Sequence, residues 1–249
     1  MGVGSRKSSS QLKVHKKPAA KCKTRSGLTK KTPSYKTVTA NQKGIRKWTA
    51  AEEKVLRTLK TPGQIQAFVD KMVFDQKDFT FSAKQCLKYR TGDCFSCGLL
   101  AAYCLSRLGY PPLLLGMECD PTLDEPGHII VPYKQGGLWG AISKSNYTGI
   151  RGRDPVYSTV RELVMSYFEF LVSKDGVKIL RTYSDPFNLN KVDPSQDWIW
   201  RTDVPSGGQH IEPYSDVCPR KCLPKGFKKN RLTKMCGTTL KAQIMAYKE

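Results

Sequence analysis

The stretch RTGDCFSCGLLAAYCLSRLGY, residues 90–110, sets Cys94 and Cys97 three residues apart at the expected start of a helix. Thr91 and Asp93 are cap-type residues, with side-chain oxygens able to take up the free N–H groups of a first turn. Leu99, Leu100, Tyr103, Cys104 and Leu108 recur at helical spacing. Gly109 and the Pro111-Pro112 pair end the segment. Cys94 then falls in the first turn, where aligned peptide dipoles favour an anion, stabilise a thiolate and lower its pKa. Cys97 and Cys104 lie deeper, where a buried thiol is inert. The ordinary alternative is that Cys94 too is a core thiol, since free cysteine is among the most buried residue types.

A thiolate nucleophile needs a base, and the base needs a group that orients it. The chain has three histidines, His15, His128 and His210. His15 lies in a basic polar tail and His210 in a Gly- and Pro-rich segment. His128, 34 residues after Cys94, opens a predicted strand, HIIVPY. A second strand, LWGAIS, follows a turn at Lys134-Gln135-Gly136-Gly137. In such a hairpin Ser143, Ser145 and Asn146 return beside His128. A hydroxyl or amide there would fix the imidazole tautomer. Without such a partner, His128 would read as a structural histidine at a strand start. The set points to thiolate attack on an amide carbonyl, protonation of the leaving amine by His128, and release of the thioester by water. Backbone N–H groups at the helix start would hold the oxyanion. Transfer to a lysine amine would use the same intermediate, and the sequence does not separate the two outcomes.

Positioning those residues falls to the elements around them. Thr49 and Glu52 form a capping box before a short helix through Val55, Leu56 and Leu59. Thr61 and Pro62 open a second helix through Ile65, Phe68, Val69 and Met72. The segment from there to Gly92 reads as irregular. PLLLGME is a third candidate strand and VKILRTY a fourth. Ser158 is the expected cap of a long helix with Val160, Leu163, Val164, Tyr167, Phe168 and Leu171 on one face. DWIWRTDV is aromatic enough to pack on the body. Helix, antiparallel sheet, then helix makes the class α+β.

Charge divides the chain further. Of a net +21, residues 1–50 carry 14 Lys or Arg and no acid, and residues 218–249 carry 9 with one acid. The middle holds 19 basic and 20 acidic residues. The expected organisation is a disordered basic tail over 1–47, a catalytic domain over 48–205, and a basic, cysteine-containing tail over 206–249. Such tails suit acidic partners: nucleic acid, an acidic protein segment or another polyanion. The opening MGVGSRKSSS lacks the apolar stretch of a secretory leader, and no apolar run is long enough to span a bilayer. Nine cysteines, an odd count, fit a reducing compartment, so the expected location is cytoplasmic or nuclear. His210, Cys218, Cys222 and Cys236 match no trusted zinc spacing and read as reduced thiols. No cofactor or metal is expected.

A cysteine at a helix start facing a His-bearing hairpin resembles the transglutaminase-like cysteine hydrolases. Within them, HIIVPYKQGGLWGAISKSNYTGIRGRDPVYSTVRELVMSYFEF is similar to the matching segment of the vasohibins. That segment runs from the catalytic His through Gly-Gly and Gly-Ala to a catalytic Ser, then to a Pro and a Thr-x-x-Glu-Leu-Val helix. The resemblance covers roughly residues 50–175. It implies a transglutaminase- or papain-like core, with Cys94 as nucleophile, His128 as base and Ser145 as the third member. Bacterial-type relatives often carry Asp or Asn third, which implies Asn146 instead. The vasohibins have Lys before the Cys and Arg after the Ser, and these hold a substrate's C-terminal carboxylate. Asp93 and Asn146 stand there in this chain. The resemblance therefore implies thiol hydrolase chemistry on a protein amide, with Lys144, Arg90, Arg151 or Arg153 the candidates to replace the missing cations. The competing class is a non-catalytic adaptor, a degenerate hydrolase that recruits polyanions through its tails.

Overall fold

A computed structural model of the chain describes residues 47–75, 81–123, 125–192, 197–200 and 220–245. The expectations for the tail before residue 47, and for His15, His210 and Cys218, lie outside the described residues.

The first helices follow their caps. In α1 (Ala50–Leu56) Thr49 Oγ1 accepts from the Glu52 N–H, and Glu52 Oε2 accepts from the Thr49 N–H. Thr61 caps α2 (Pro62–Asp70), which has Pro62 at its first position. The segment read as irregular holds more order than expected. Val73–Phe74 (β1) is followed by α3 (Ala83–Tyr89), closed at its start by a Ser82–Gln85 capping box. Arg90 then takes a left-handed conformation, φ 57°, and turns the chain into β2 (Thr91–Gly92), parallel to β1. The carbonyls of Trp198 and Ile199 accept from the N–H groups of Ala83 and Lys84. Trp48 stacks between Tyr103 and Trp200, so the aromatic segment packs on the body as its composition suggests.

The cysteine helix, α4, runs Cys94–Arg107 and buries ten of its fourteen residues. Each fully buried leucine in it contributes about 1.5–3 kcal/mol by leaving water. Gly109, with φ 87°, supplies the left-handed residue that ends it. One face of α4 lies on the strand that carries His128.

The sheet is antiparallel throughout. Its strands are β3 (Leu113–Cys119), β4 (His128–Gln135), β5 (Leu138–Ile142), β6 (Arg153–Tyr157), β7 (Leu180–Tyr183), β8 (Phe187–Asn188) and β9 (Arg220–Lys221). The spatial order is β6-β5-β4-β3-β7-β9, with β8 beside the start of β3. Gly136 and Gly137, both at positive φ, form the two-residue turn between β4 and β5. Leu114, Val131 and Ile142 face the layer of α1 to α4. Leu115, Met117, Ile130 and Leu180 face a second core with Leu163, Val164, Tyr167 and Phe168. The mixed helix and antiparallel-sheet architecture is α+β.

Two details differ from the sequence reading. The helix expected to be long, α5, spans only Val160–Met165 and continues as turns, and its cap is Thr159 rather than Ser158. Its apolar face is still buried. Residues 220–245, expected as part of a tail, dock on the body. Here β9 extends the sheet, Cys222 is buried, and α6 (Gly237–Met245) brings Gln243 against Gly149 and Phe170. Among the described residues no helix is long and apolar enough to cross a membrane.

Candidate active site

Cys94 opens α4. Asp93 is the cap: its Oδ1 accepts from the Ser96 N–H at 2.7 Å. Ser96 Oγ in turn accepts from the Phe81 N–H at 3.0 Å, fixing the approach of the preceding loop. The backbone N–H groups of Ile129 and Phe95 face the Cys94 sulfur. Ile129 directly follows His128, so the thiol sits against the strand end that bears the imidazole. The expected lowering of the thiol pKa does not hold. Burial pushes it up to about 12, and the Asp93 carboxylate and Cys97 thiol add to the rise, while the two N–H groups oppose it. Loss of hydration outweighs the field of one helix terminus, and the cap that starts the helix is itself an anion.

His128 is buried at the first position of β4. Its Nε2 lies 2.7 Å from Ser143 Oγ, and the nearby Ile150 carbonyl favours the protonated ring. Ser143 Oγ stands 3.0 Å from the Ile150 oxygen and donates to it. A hydroxyl has one proton. Spent on Ile150, it leaves Ser143 to accept from His128, which puts the imidazole proton on Nε2 and leaves Nδ1 as the free base. Burial depresses the imidazole to about 4, against a smaller upward pull from the Ile150 carbonyl. The resting pair is therefore a neutral thiol and a neutral imidazole near neutral pH.

The residue facing His128 is Ser143, and the reason is visible in the ladder. The β4–β5 register pairs Val131 with Ile142, so three more steps of a regular ladder would set Ser145 across from His128. The pairing stops at Ile142 because Gln66 of α2 takes both backbone groups of Ser143. Ser143 then turns its hydroxyl onto the imidazole. Ser145 is buried, with its Oγ accepting from the Tyr147 N–H at 3.0 Å, and Asn146 is half-buried. Gln66 and the Ile150 carbonyl have no fingerprint in the sequence. An amide that captures a distant backbone looks like any polar residue on a helix, and a carbonyl belongs to every residue. The docked C-terminal segment supports this corner: Gly149, next to Ile150, donates to Gln243 Oε1 at 3.1 Å. A Cβ on Gly149 would stand 2.3 Å from the Phe170 ring.

The four candidate cations are placed differently. Lys144 is buried, with Nζ donating to the carbonyls of Asp70 and Met72. Arg151 pairs with Asp70 at 3.0 Å. Arg153 donates to the carbonyls of Gly149 and Ser166 and lies over the Tyr167 ring. Arg90 is exposed, its guanidinium 4.5 Å above the Phe68 ring.

No family model and no curated protein matches the chain. Among solved structures, LapG of Legionella pneumophila is similar at 11% identity over 59% of this chain and 82% of that one, with a TM-score of 0.35. Its EGTA-treated form gives 10% identity over 60% and 84%, again at a TM-score of 0.35. The likeness is remote and says nothing of activity.

Proposed function

We propose that the protein is a thiol hydrolase, a peptidase or amidase, that cleaves protein amide bonds with Cys94 as nucleophile and His128 as base. The observation that carries the reading is the chain of contacts from the Cys94 sulfur to Ile129 and from His128 to Ser143 and Ile150. Nδ1 would take the thiol proton as sulfur attacks the carbonyl, because the resting thiol is not ionised. The imidazolium, held by the Ser143 hydroxyl and the Ile150 carbonyl, would give that proton to the leaving amine. Water then attacks the thioester, with the imidazole again as base. N–H groups at the start of α4 suit the oxyanion. Ser143 is the orienting group in this reading, ahead of Ser145 and Asn146, since its hydroxyl touches the ring.

Three of the four candidate cations are tied to the protein's own carbonyls and carboxylates, and Asp93 stands beside the nucleophile. The proposed substrate is therefore an internal or side-chain amide, with the basic N-terminal residues drawing acidic proteins. A peptide with a free C-terminal carboxylate and its amidated twin test this with wild type and Cys94→Ala. Equal, Cys94-dependent cleavage of both is expected. Cleavage lost on amidation would restore a carboxypeptidase, and cleavage of neither would remove the hydrolase.

A second reading has its own observation. The thiol and imidazole values, about 12 and about 4, lie far from those of an activated pair. They suit a degenerate hydrolase that binds nucleic acid or an acidic protein segment through its basic ends. Deleting residues 1–47 removes 14 positive charges. In the adaptor reading this weakens polyanion binding and flattens its salt dependence. Unchanged binding would exclude the tether.

A further inference from the structure

Three sulfur atoms meet beneath the start of α4. Cys86 Sγ of α3 lies 3.7 Å from Cys97 Sγ of α4, and Met72 Sδ lies 3.8 Å and 3.9 Å from the two. All three side chains are at most 4% exposed. The triangle is nearly equilateral, and the point equidistant from its corners is about 2.2 Å from each sulfur. A thiolate keeps about 2.3 Å from a d10 metal ion. Gly92 covers the pair, and a Cβ there would stand only 3.3 Å from both thiol sulfurs.

The donor set selects the metal. Two thiolates and a thioether are soft ligands of the kind that favour Cu(I). Zinc would want four donors, and among the described residues no third Cys, His, Asp or Glu joins the pair. The charge environment agrees. Lys144 is buried, and its Nζ donates at 2.5 Å to the carbonyl of Met72 itself and at 3.0 Å to that of Asp70. An ammonium held by carbonyls calls for a counter-charge. Two thiolates on one monovalent ion carry a net −1 and supply it.

We propose that Met72, Cys86 and Cys97 form a trigonal binding site for copper(I). On loading, each thiol gives a proton to solvent, two Cu–thiolate bonds and one Cu–thioether bond form, and no electron is transferred. The ion ties α3 to α4 one turn beyond Cys94. The site is separate from the thiol–imidazole pair and does not rest on the hydrolase reading.

The test titrates the reduced full-length chain, without oxygen, against the Cu(I)–bathocuproine complex. The chain should withdraw one equivalent of copper, and the absorption-edge spectrum should show three sulfurs at about 2.2–2.3 Å. Cys86→Ser and Cys97→Ser should each weaken binding at least 100-fold and Met72→Leu about tenfold. Cys94→Ser and Cys236→Ser should bind as wild type. Equal affinity in folded Cys86→Ser or Cys97→Ser, loss in Cys94→Ser, or a two-sulfur spectrum would overturn the site. Where the serine variants do not fold, the wild-type spectrum and Met72→Leu decide.

Discussion

Gln66 and Ser143 pair as neighbouring strands would. Gln66 Oε1 accepts from the Ser143 N–H at 2.9 Å, and Gln66 Nε2 donates to the Ser143 carbonyl at 2.9 Å. Gln66 Nε2 also lies 3.0 Å from Asp70 Oδ1. One helix side chain thus substitutes for the strand β4 would otherwise provide, 77 positions away in sequence. The result is a Ser143 whose backbone is fixed from one side and whose hydroxyl is left for His128.

Gln66 is therefore a positioning residue for the proposed reaction. Gln66→Met, similar in volume, should lower kcat about tenfold with little change in KM, since a mis-set hydrogen bond costs about 1–1.5 kcal/mol. Gln66→Glu tells position from mere folding. Its carboxylate would face Asp70 and the Ser143 carbonyl, so its activity relative to Gln66→Met should rise as pH falls and the glutamate takes a proton. A ratio flat with pH would argue against the role.

The two serines give the sharpest comparison. Ser143→Ala removes the acceptor of the Nε2 proton and should cost about 10- to 100-fold in kcat/KM on a Cys94-dependent peptide. Ser145→Ala loses only a turn contact to the Tyr147 N–H and should cost less than threefold. The reverse order would return Ser145 to the imidazole.

Much of this was legible in the sequence where local chemistry decides. Thr49, Thr61 and Asp93 are caps because their side chains satisfy helix N–H groups a few residues on, and those positions can be read directly. Gly136-Gly137 set the hairpin, and the hairpin returns the chain so that Ser143 lies beside His128. What could not be read was decided at a distance. Ser143 displaces Ser145 through Gln66, and α3 hides in a segment whose only strong signal is the Ser82–Gln85 capping box. The thiol pKa departs from its local expectation for a related reason: the helix terminus is local, whereas burial depends on the whole fold.

The raised Cys94 thiol has a direct readout. Iodoacetamide should alkylate Cys94 slowly at pH 7, with a rate still rising above pH 9. Asp93→Asn keeps an acceptor for the Ser96 N–H and removes the adjacent anion, so the rate at pH 7 should rise several-fold. Mass spectrometry of the Cys94 peptide measures it, and a rate already flat by pH 8 would show an ionised thiol.

Asp120 anchors the C-terminal residues. Its Oδ2 meets Arg181 Nε at 2.9 Å and Lys229 Nζ at 2.5 Å, and its Oδ1 accepts from Thr122. Burial alone would raise this carboxyl, but the hydrogen bonds from Lys229, Thr122 and Arg181 hold it well below the usual range. Asp120→Asn should cost about 2 kcal/mol, the exposure of Lys229 keeping the loss below that of a fully buried pair. Trypsin should then cut between Lys221 and Arg231 several-fold faster in a limited digest.

Acid should separate His128 from the carboxylates. Its folded value is about 4, below the ordinary 6.5, so between these values the unfolded chain binds a proton that the folded chain refuses. Stability should therefore fall as pH drops from 6.5 to 4, by a total of about 3 kcal/mol, and this contribution should change no further below that. Asp120 is shifted in the same direction, downward, but acts in another window. Its contribution is complete above the ordinary aspartate value of 3.8 and is lost only as pH falls below it. Urea unfolding at pH 7 and pH 4.5 should show the histidine loss almost alone, and His128→Asn should remove most of the difference. The proposed hydrolysis should follow the same group, with kcat/KM holding down to about pH 5 and falling near 4 as Nδ1 becomes protonated. An acid limb near 6.5, unchanged in Asp93→Asn, would mean that the imidazole is not held in its buried, neutral form.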